Sequence, residues 1–192
     1  MKKMISMLLA LTMLMGLAAC GNQNDTQTTT TSPMDVPGSA LEILETVWAS
    51  YGEEEKLPAA GGDAENLVMD GPGTYSLTDE GIQTILLVPE DQTANIDGAA
   101  SLMHAMMSNY FTCGVFHMAE GADAATFATA MRDAIASNRW LCGMPETLLV
   151  AVVGGEYVVA GFGLDDNMKT FETKLTTAYP GTEVKYSEPI TG

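Results

Sequence analysis

The two histidines of the chain, His104 and His117, are the residues whose surroundings most suggest metal chemistry. Cys113 lies between them, and four methionines are close in sequence: Met103, Met106, Met107 and Met118. Thioether and imidazole ligands together suit a soft metal such as copper, and imidazole also suits zinc. Methionine equally fills irregular cores, and a Met-x-x-Met spacing is not repeated here. The sequence therefore assigns no metal site, and His104 and His117 are the candidate ligands of an alternative copper- or zinc-binding function.

No nucleophile arrangement is recognisable in the sequence. The chain contains neither Gly-x-Ser-x-Gly nor Ser-x-x-Lys, the local patterns of two hydrolase classes. Cys113 and His117 are predicted to share one strand, where positions i and i+4 lie about 13 Å apart, too far for a nucleophile–base pair. The sequence therefore predicts a non-enzymatic protein with no cofactor.

The charge of the chain limits the partners it can have. Eight basic residues stand against 25 acidic ones, a formal net charge of −17. Nucleic acid is excluded as a partner because phosphates are neutralised by Lys and Arg. Such acidity also opposes adhesion to anionic lipid, so any link to a membrane must come from acyl chains.

The N-terminal residues predict how the chain reaches a membrane. Lys2 and Lys3 precede an apolar run, Met4 to Leu17, that is too short to span a bilayer comfortably. Leu17-Ala18-Ala19-Cys20 then places small residues directly before a cysteine. The whole run resembles a bacterial lipoprotein signal with its lipobox. The resemblance implies that Cys20 is lipidated, becomes the mature N-terminus and attaches the protein to the extracytoplasmic face of the cell membrane.

Three regions follow from this interpretation. Residues 1–19 are the predicted signal peptide, and residues 20–37 are the lipidated cysteine with a polar tether. The tether contains GNQNDTQTTTTS, which has no apolar residue to bury and ends at prolines. Residues 38–192 are predicted to form a single extracytoplasmic domain, long enough for a hydrophobic core.

Three segments of the N-terminal half have different patterns. Residues 39–51 are predicted to form an amphipathic helix that begins with a Ser39/Glu42 capping box. Residues 53–74 are acidic, rich in Gly and Pro and without a period, which predicts a loop. Residues 99–107 fit a helix by propensity or a strand paired with the next one, and the helix is favoured.

The C-terminal half predicts a β-α-β-β-α unit. Its elements are a strand at 110–118, a helix at 123–138, strands at 147–153 and 156–162, and a helix at 166–179 capped by Asp165. Gly154-Gly155 between the two strands is a strong hairpin signal. Residues 183–186 are predicted to be an edge strand. The fold class is therefore α+β, with a small antiparallel or mixed sheet and helices packed mainly on one face.

Cys113 and Cys142 are predicted to form a structural disulfide. A helix that follows a strand returns along it, so Cys142, just past the helix, should lie near the beginning of the strand that carries Cys113. Disulfides persist outside the cytoplasm. Two separate buried thiols are the alternative.

The pattern as a whole is similar to small uncharacterised lipoproteins of clostridial-type Gram-positive bacteria. The shared features are the lipobox at Leu17 to Cys20, a polar tether, a capped first helix, a strand at Phe111 to Met118 and a hairpin within Leu148 to Phe162. The resemblance implies no known activity and carries over no functional residue except Cys20. We therefore expect a lipid-anchored binding or accessory module whose partner is an envelope protein or a small molecule.

Overall fold

A computed structural model describes residues 37–141 and 143–191 of the chain. The predicted signal peptide, the lipid attachment site Cys20 and the candidate disulfide residue Cys142 lie outside the described residues. The α-helices are α1 (Ala40–Ala49), α2 (Gly81–Thr84), α3 (Ala124–Ser137) and α4 (Asp165–Ala178). The strands are β1 (Ala59–Gly61), β2 (Val68–Met69), β3 (Gly73–Thr74), β4 (Ile96–His104), β5 (Phe111–Met118), β6 (Thr147–Val153), β7 (Tyr157–Gly163) and β8 (Glu183–Pro189).

The strands form one antiparallel sheet in the order β2-β1-β4-β5-β7-β6-β8, and β3 also pairs with β4. The central strands β5, β6 and β7 are buried along almost their whole length. Apolar residues on both faces of a strand require cover on both faces. The predicted α+β class is confirmed, and so is the β5-α3-β6-β7-α4 order of the C-terminal half.

The helices cover both faces of the sheet, whereas the sequence predicted them mainly on one. Helices α1 and α4 pack on one face with Phe111 and Val115. Helix α3 packs on the other face with Phe116 and Phe162. Side chains alternate along β5, so Phe111 lies on one face of the sheet and Phe116 on the other. Both faces are therefore apolar and have to be covered.

Two local predictions are confirmed by hydrogen bonds and backbone angles. At the start of α1, Ser39 Oγ accepts from Glu42 N at 3.1 Å, and the Glu42 carboxylate accepts from Gly38 N at 2.8 Å. In the β6–β7 hairpin, Gly154 and Gly155 have φ of 62° and 78°. This left-handed region favours glycine, which explains why the two glycines mark the turn.

The helix favoured for residues 99–107 is wrong, and the alternative strand is present as β4. It pairs with β5 from Ile96↔Met118 to Met103↔Thr112. Ala, Leu and Met have high helix propensity, but propensity is weak against a full antiparallel partner strand. Ser108–Tyr110 forms a short 3-10 helix that joins the two strands.

The loop predicted for residues 53–74 is also wrong in part, because it contains β1, β2 and β3. Each strand has only two or three residues, too few to show a hydropathy period. Asp63, 4% exposed, holds the segment together. Its Oδ1 accepts from the backbone N–H groups of Glu65 and Asn66, and its Oδ2 accepts from Ser76 N at 2.6 Å. The Asn66 amide donates to both oxygens.

We expect Asp63→Asn to lower the free energy of unfolding by about 1–3 kcal/mol near neutral pH, because an amide NH2 would face N–H donors. Burial raises the pKa of Asp63, but the hydrogen bonds from Asn66, Ser76 and Glu65 outweigh it and leave the pKa below its usual range. A lowered folded pKa contributes stability above the unfolded value of about 3.9 that is lost as pH falls through the folded pKa.

Urea unfolding of both proteins at pH 7 and at pH 3 measures this contribution. The difference in the free energy of unfolding between wild type and Asp63→Asn should be smaller at pH 3 than at pH 7. Glu65→Gln, at an exposed position in the same segment, is the control. Its free energy of unfolding should be close to that of wild type at both pH values. An Asp63→Asn difference that is the same at pH 3 and pH 7 would contradict the role of the ionised carboxylate.

Two boundaries in the last third of the chain differ from prediction. Helix α4 begins at Asp165 with Leu164 as N-cap, and Asp165 instead accepts from Thr147 Oγ1 and pairs with Lys169. Strand β8 continues to Pro189 and has a register shift opposite Val150/Ala151. The irregular register and the charges on this edge strand discourage pairing with another strand. Among the described helices, none is both long enough and apolar enough to cross a bilayer.

Candidate interaction surface

Two connections meet at one end of the sheet. The first, residues 105–110, joins β4 to β5, and the second, residues 138–146, joins α3 to β6. Asn109 Nδ2 links them, because it donates to Leu141 O at 3.0 Å and to Gly143 O at 2.7 Å. The two connections therefore form one continuous surface.

This surface exposes large apolar side chains. Met106 and Leu141 are each 80% exposed. The exposed apolar residues of the two connections, which we call the apolar end, are Met106, Met107, Tyr110, Leu141 and Met144. Residues 105–110 and 140–145 contain no Asp, Glu, Lys or Arg. A contiguous exposed apolar patch on a soluble domain marks a contact site more often than scattered single residues do.

Hydrogen bonds hold the first connection in place. His104 Nδ1 accepts from Met106 N at 3.2 Å and from Met107 N at 3.1 Å, and the Tyr110 ring packs edge-on against the imidazole. Tyr110 O accepts from Leu164 N at 2.9 Å. These bonds give the connection a defined shape, so its methionines are presented by a fixed turn.

The second connection is fixed at its start by an aromatic contact. Trp140 lies against Phe162, with ring centroids 4.6 Å apart. The indole N–H is buried and finds no acceptor among the described residues, which costs stability. Leu141, the next residue, extends from this packed indole into solvent.

Charged side chains lie around the apolar end. Asp165 and Asp166 begin α4 beside Tyr110, since Asn167 Nδ2 donates to Tyr110 O at 3.0 Å. Glu146 accepts from Asp165 N at 2.9 Å. The pKa of Asp165 lies below its usual value, mainly because of the hydrogen bond from Lys169. Burial opposes this effect, and the hydrogen bond from Thr147 adds to it. This carboxylate therefore stays ionised near neutral pH.

Arg139 is the basic residue of this rim and forms no ion pair with a described residue. The other basic residues of the described chain pair with acids: Lys56 with Glu53, Arg132 with Asp133 and Glu188, Lys169 with Asp165, Lys174 with Glu55, and Lys185 with Glu183. The exposed charges near the apolar end that form no ion pair with a described residue are therefore Asp166, Glu146 and Arg139, two negative and one positive.

The two histidines of the candidate metal site are not brought together. Met103 pairs with Thr112 and Gly98 pairs with His117, so His104 and His117 lie at opposite ends of the β4–β5 pair, roughly 20 Å apart. His104 Nδ1 accepts two N–H bonds, which places the proton of the neutral ring on Nε2 and leaves no lone pair for a metal. Residues 37–141 and 143–191 contain no group of three His, Cys, Asp or Glu arranged to hold a metal ion.

His117 lies instead where the chain enters the domain. Its Nδ1 is hydrogen-bonded to Asp97 Oδ1, and its ring packs on Tyr157 at 4.8 Å. The Tyr157 hydroxyl donates to Pro37 O at 2.9 Å and so fixes the first described residue. The chain therefore enters the fold at the end of β5 opposite to the apolar end.

Cys113 is fully buried on the face covered by α1 and α4, and burial raises the pKa of its thiol. It is not poised as a nucleophile, because the thiolate is the reactive form. Its predicted partner Cys142 lies outside the described residues, so the disulfide stays a prediction. The neighbours Leu141 and Gly143 contact Asn109, just before the strand that carries Cys113.

An open groove lies between α1 and α4. It is lined mainly by threonines and by Lys169 and Lys174. Lys174 Nζ donates to Ser50 O at 3.0 Å and to the Glu55 carboxylate at 2.7 Å. Because both lysines are engaged by the protein, this groove offers a ligand little beyond hydroxyl groups.

Sequence reasoning missed the apolar end, although a signal for it exists. Residues 98–119 carry no Asp, Glu, Lys or Arg in a chain of net charge −17. Strand pairing accounts for the apolar residues of β4 and β5, but not for those of the exposed connection between them. Comparison of this chain with protein-family models, with curated proteins and with solved structures finds no match.

Proposed function

We propose that this protein is a membrane-anchored extracytoplasmic lipoprotein that acts as a non-enzymatic binding module, with the apolar end as its contact surface. The exposed, uncharged apolar end of a highly acidic domain is the observation that carries the proposal. The lipobox-like run at Leu17 to Cys20 supports the anchor.

The composition of the apolar end fits a protein contact surface. The central parts of interfaces are depleted in charged residues and enriched in Tyr and Met. Methionine side chains are unbranched and adapt to irregular partners. Met106, Met107, Met144 and Tyr110 are exposed on two connections whose backbone is held by Asn109 and His104. A fixed scaffold with adaptable side chains suits recognition rather than catalysis.

Site-specific photocrosslinking of the full-length chain in intact cells tests this function. A benzophenone amino acid would replace Met106 in one variant and Leu141 in another, since both are exposed and neither supports the core. We expect both positions to give the same discrete adduct. The control position is Glu120, exposed in the turn after β5 at the opposite end of the sheet.

The control decides how the adducts are interpreted. Adducts at Met106 and Leu141 with at least tenfold higher yield than at Glu120 would support a contact at the apolar end. Equal yields at the three positions, or adducts confined to Glu120, would contradict the proposed function.

A further inference from the structure

We infer that the occupant of the apolar end is a partner protein that presents an apolar segment with Lys or Arg next to it. This inference rests on the proposed function and adds the chemistry of the partner. Two features carry it: the charges beside the apolar end and the net charge of the whole chain.

Two of the three unpaired charges near the apolar end are carboxylates and the third is Arg139, a balance that favours basic residues on the partner. Asp166 is exposed at the start of α4 and forms no ion pair with a described residue, and Glu146 is exposed at the start of β6. Opposite charges around an apolar contact raise the association rate and discriminate against acidic partners. Glu146 accepts from Asp165 N, so Glu146 and Asp166 lie on the same side of the apolar end. Lys or Arg at one end of an apolar segment would face both carboxylates while the segment covers Met106 and Leu141.

Charge disfavours the bilayer as the occupant of the apolar end. Pro37 is held by Tyr157 at the His117 end, and β5 places the apolar end roughly 20 Å from it. The predicted polar tether, residues 20–37, lets the domain turn, so the surface charge rather than this separation disfavours the bilayer. The acidic surface repels anionic lipid headgroups, so insertion of the apolar end into the anchoring bilayer is disfavoured.

A second copy of the chain is disfavoured as occupant by charge. Each copy carries −17, and two apolar ends in contact would bring together two rims that each hold Asp166 and Glu146 against the single Arg139. Like charges placed opposite each other across an interface oppose association. The same repulsion does not act on a partner with basic residues next to its apolar segment.

A matched pair of charge reversals tests the chemistry of the partner. Asp166→Lys and Glu156→Lys each change the net charge by +2, the first beside the apolar end and the second in the β6–β7 turn at the opposite end. Each would be combined with the photocrosslinker at Leu141 in the full-length chain in intact cells. We expect Asp166→Lys to lower the adduct yield at least fivefold, whereas Glu156→Lys changes it less than twofold.

The mass of the adduct completes the test. A protein adduct whose crosslinked peptide contains apolar residues next to Lys or Arg supports the inference. Three results would overturn it: a phospholipid adduct, an adduct at twice the mass of this chain, or a loss of yield that is equal in the two variants. A phospholipid adduct or a dimer adduct would still show that the apolar end makes a contact. The absence of any adduct at Leu141 in the unreversed chain would instead reject the proposed function.

Discussion

Cys20→Ser should abolish fatty-acid incorporation into the protein. The lipobox interpretation makes this thiol the attachment point of the acyl chains, and a serine hydroxyl does not replace it. Acyl chains contribute about 0.8 kcal/mol for each buried CH2 group, and stable attachment takes two membrane signals. Without them, a mature domain of this acidity has no attraction for an anionic leaflet.

Metabolic labelling with an alkyne fatty acid, followed by gel fluorescence, measures this effect. The controls are Cys113→Ala and Cys142→Ser, which both keep Cys20. They show whether the label depends on Cys20 or on either of the other two cysteines. We expect full labelling in both controls and none in Cys20→Ser. A label that persists in Cys20→Ser would contradict the lipid anchor.

Phe171→Ala should produce the largest loss of stability among single substitutions on α4. Phe171 is fully buried, and its ring lies 5.5 Å from that of Phe111 in the layer that joins α4 to the sheet. Truncation of a buried phenylalanine costs about 3–5 kcal/mol through lost burial and the remaining cavity. Since whole domains are stable by only about 5–15 kcal/mol, much of the folded state would be lost.

The urea midpoint of unfolding measures this loss. Thr170→Ala, at the adjacent position of α4 and only half-buried, is the matched control and should change the free energy of unfolding by about 0.5 kcal/mol or less. Equal shifts for the two variants would show that α4 does not pack as described.

The parts of the fold that could be predicted from sequence are those with a strong local signal. Strands β6 and β7 are apolar runs separated by two glycines whose φ values are positive in the structure. Helix α1 has its capping box, and Asp123 caps α3 through Thr126 N at 2.6 Å. In each case a few neighbouring residues determine the structure.

The parts that could not be predicted depend on distant partners. Residues 99–104 form a strand because β5 offers a complete antiparallel edge, although their side chains favour a helix. Strands β1 and β3 are too short to have a pattern and exist because β4 pairs with both. The second helical layer was missed because the alternation along one strand does not show which helix covers which face.

The candidate surface shows the same limit. Met103 is half-buried against the core and Met106 is exposed, yet the two residues lie three positions apart in an apolar stretch. Only the turn that His104 organises separates them. The juxtaposition of Leu141 with this turn depends on the Asn109 hydrogen bonds, which no sequence pattern indicates.

Hydrogen–deuterium exchange of the full-length chain, in native membranes and after extraction into detergent, measures whether the apolar end is covered by a partner. If the apolar end is the contact surface, peptides from residues 105–110 and 140–146 should exchange more slowly in native membranes than in detergent. Peptides from the opposite turns, residues 119–122 and 154–156, should exchange equally in both. Equal exchange at the apolar end, or protection confined to the opposite turns, would contradict the assignment of this surface.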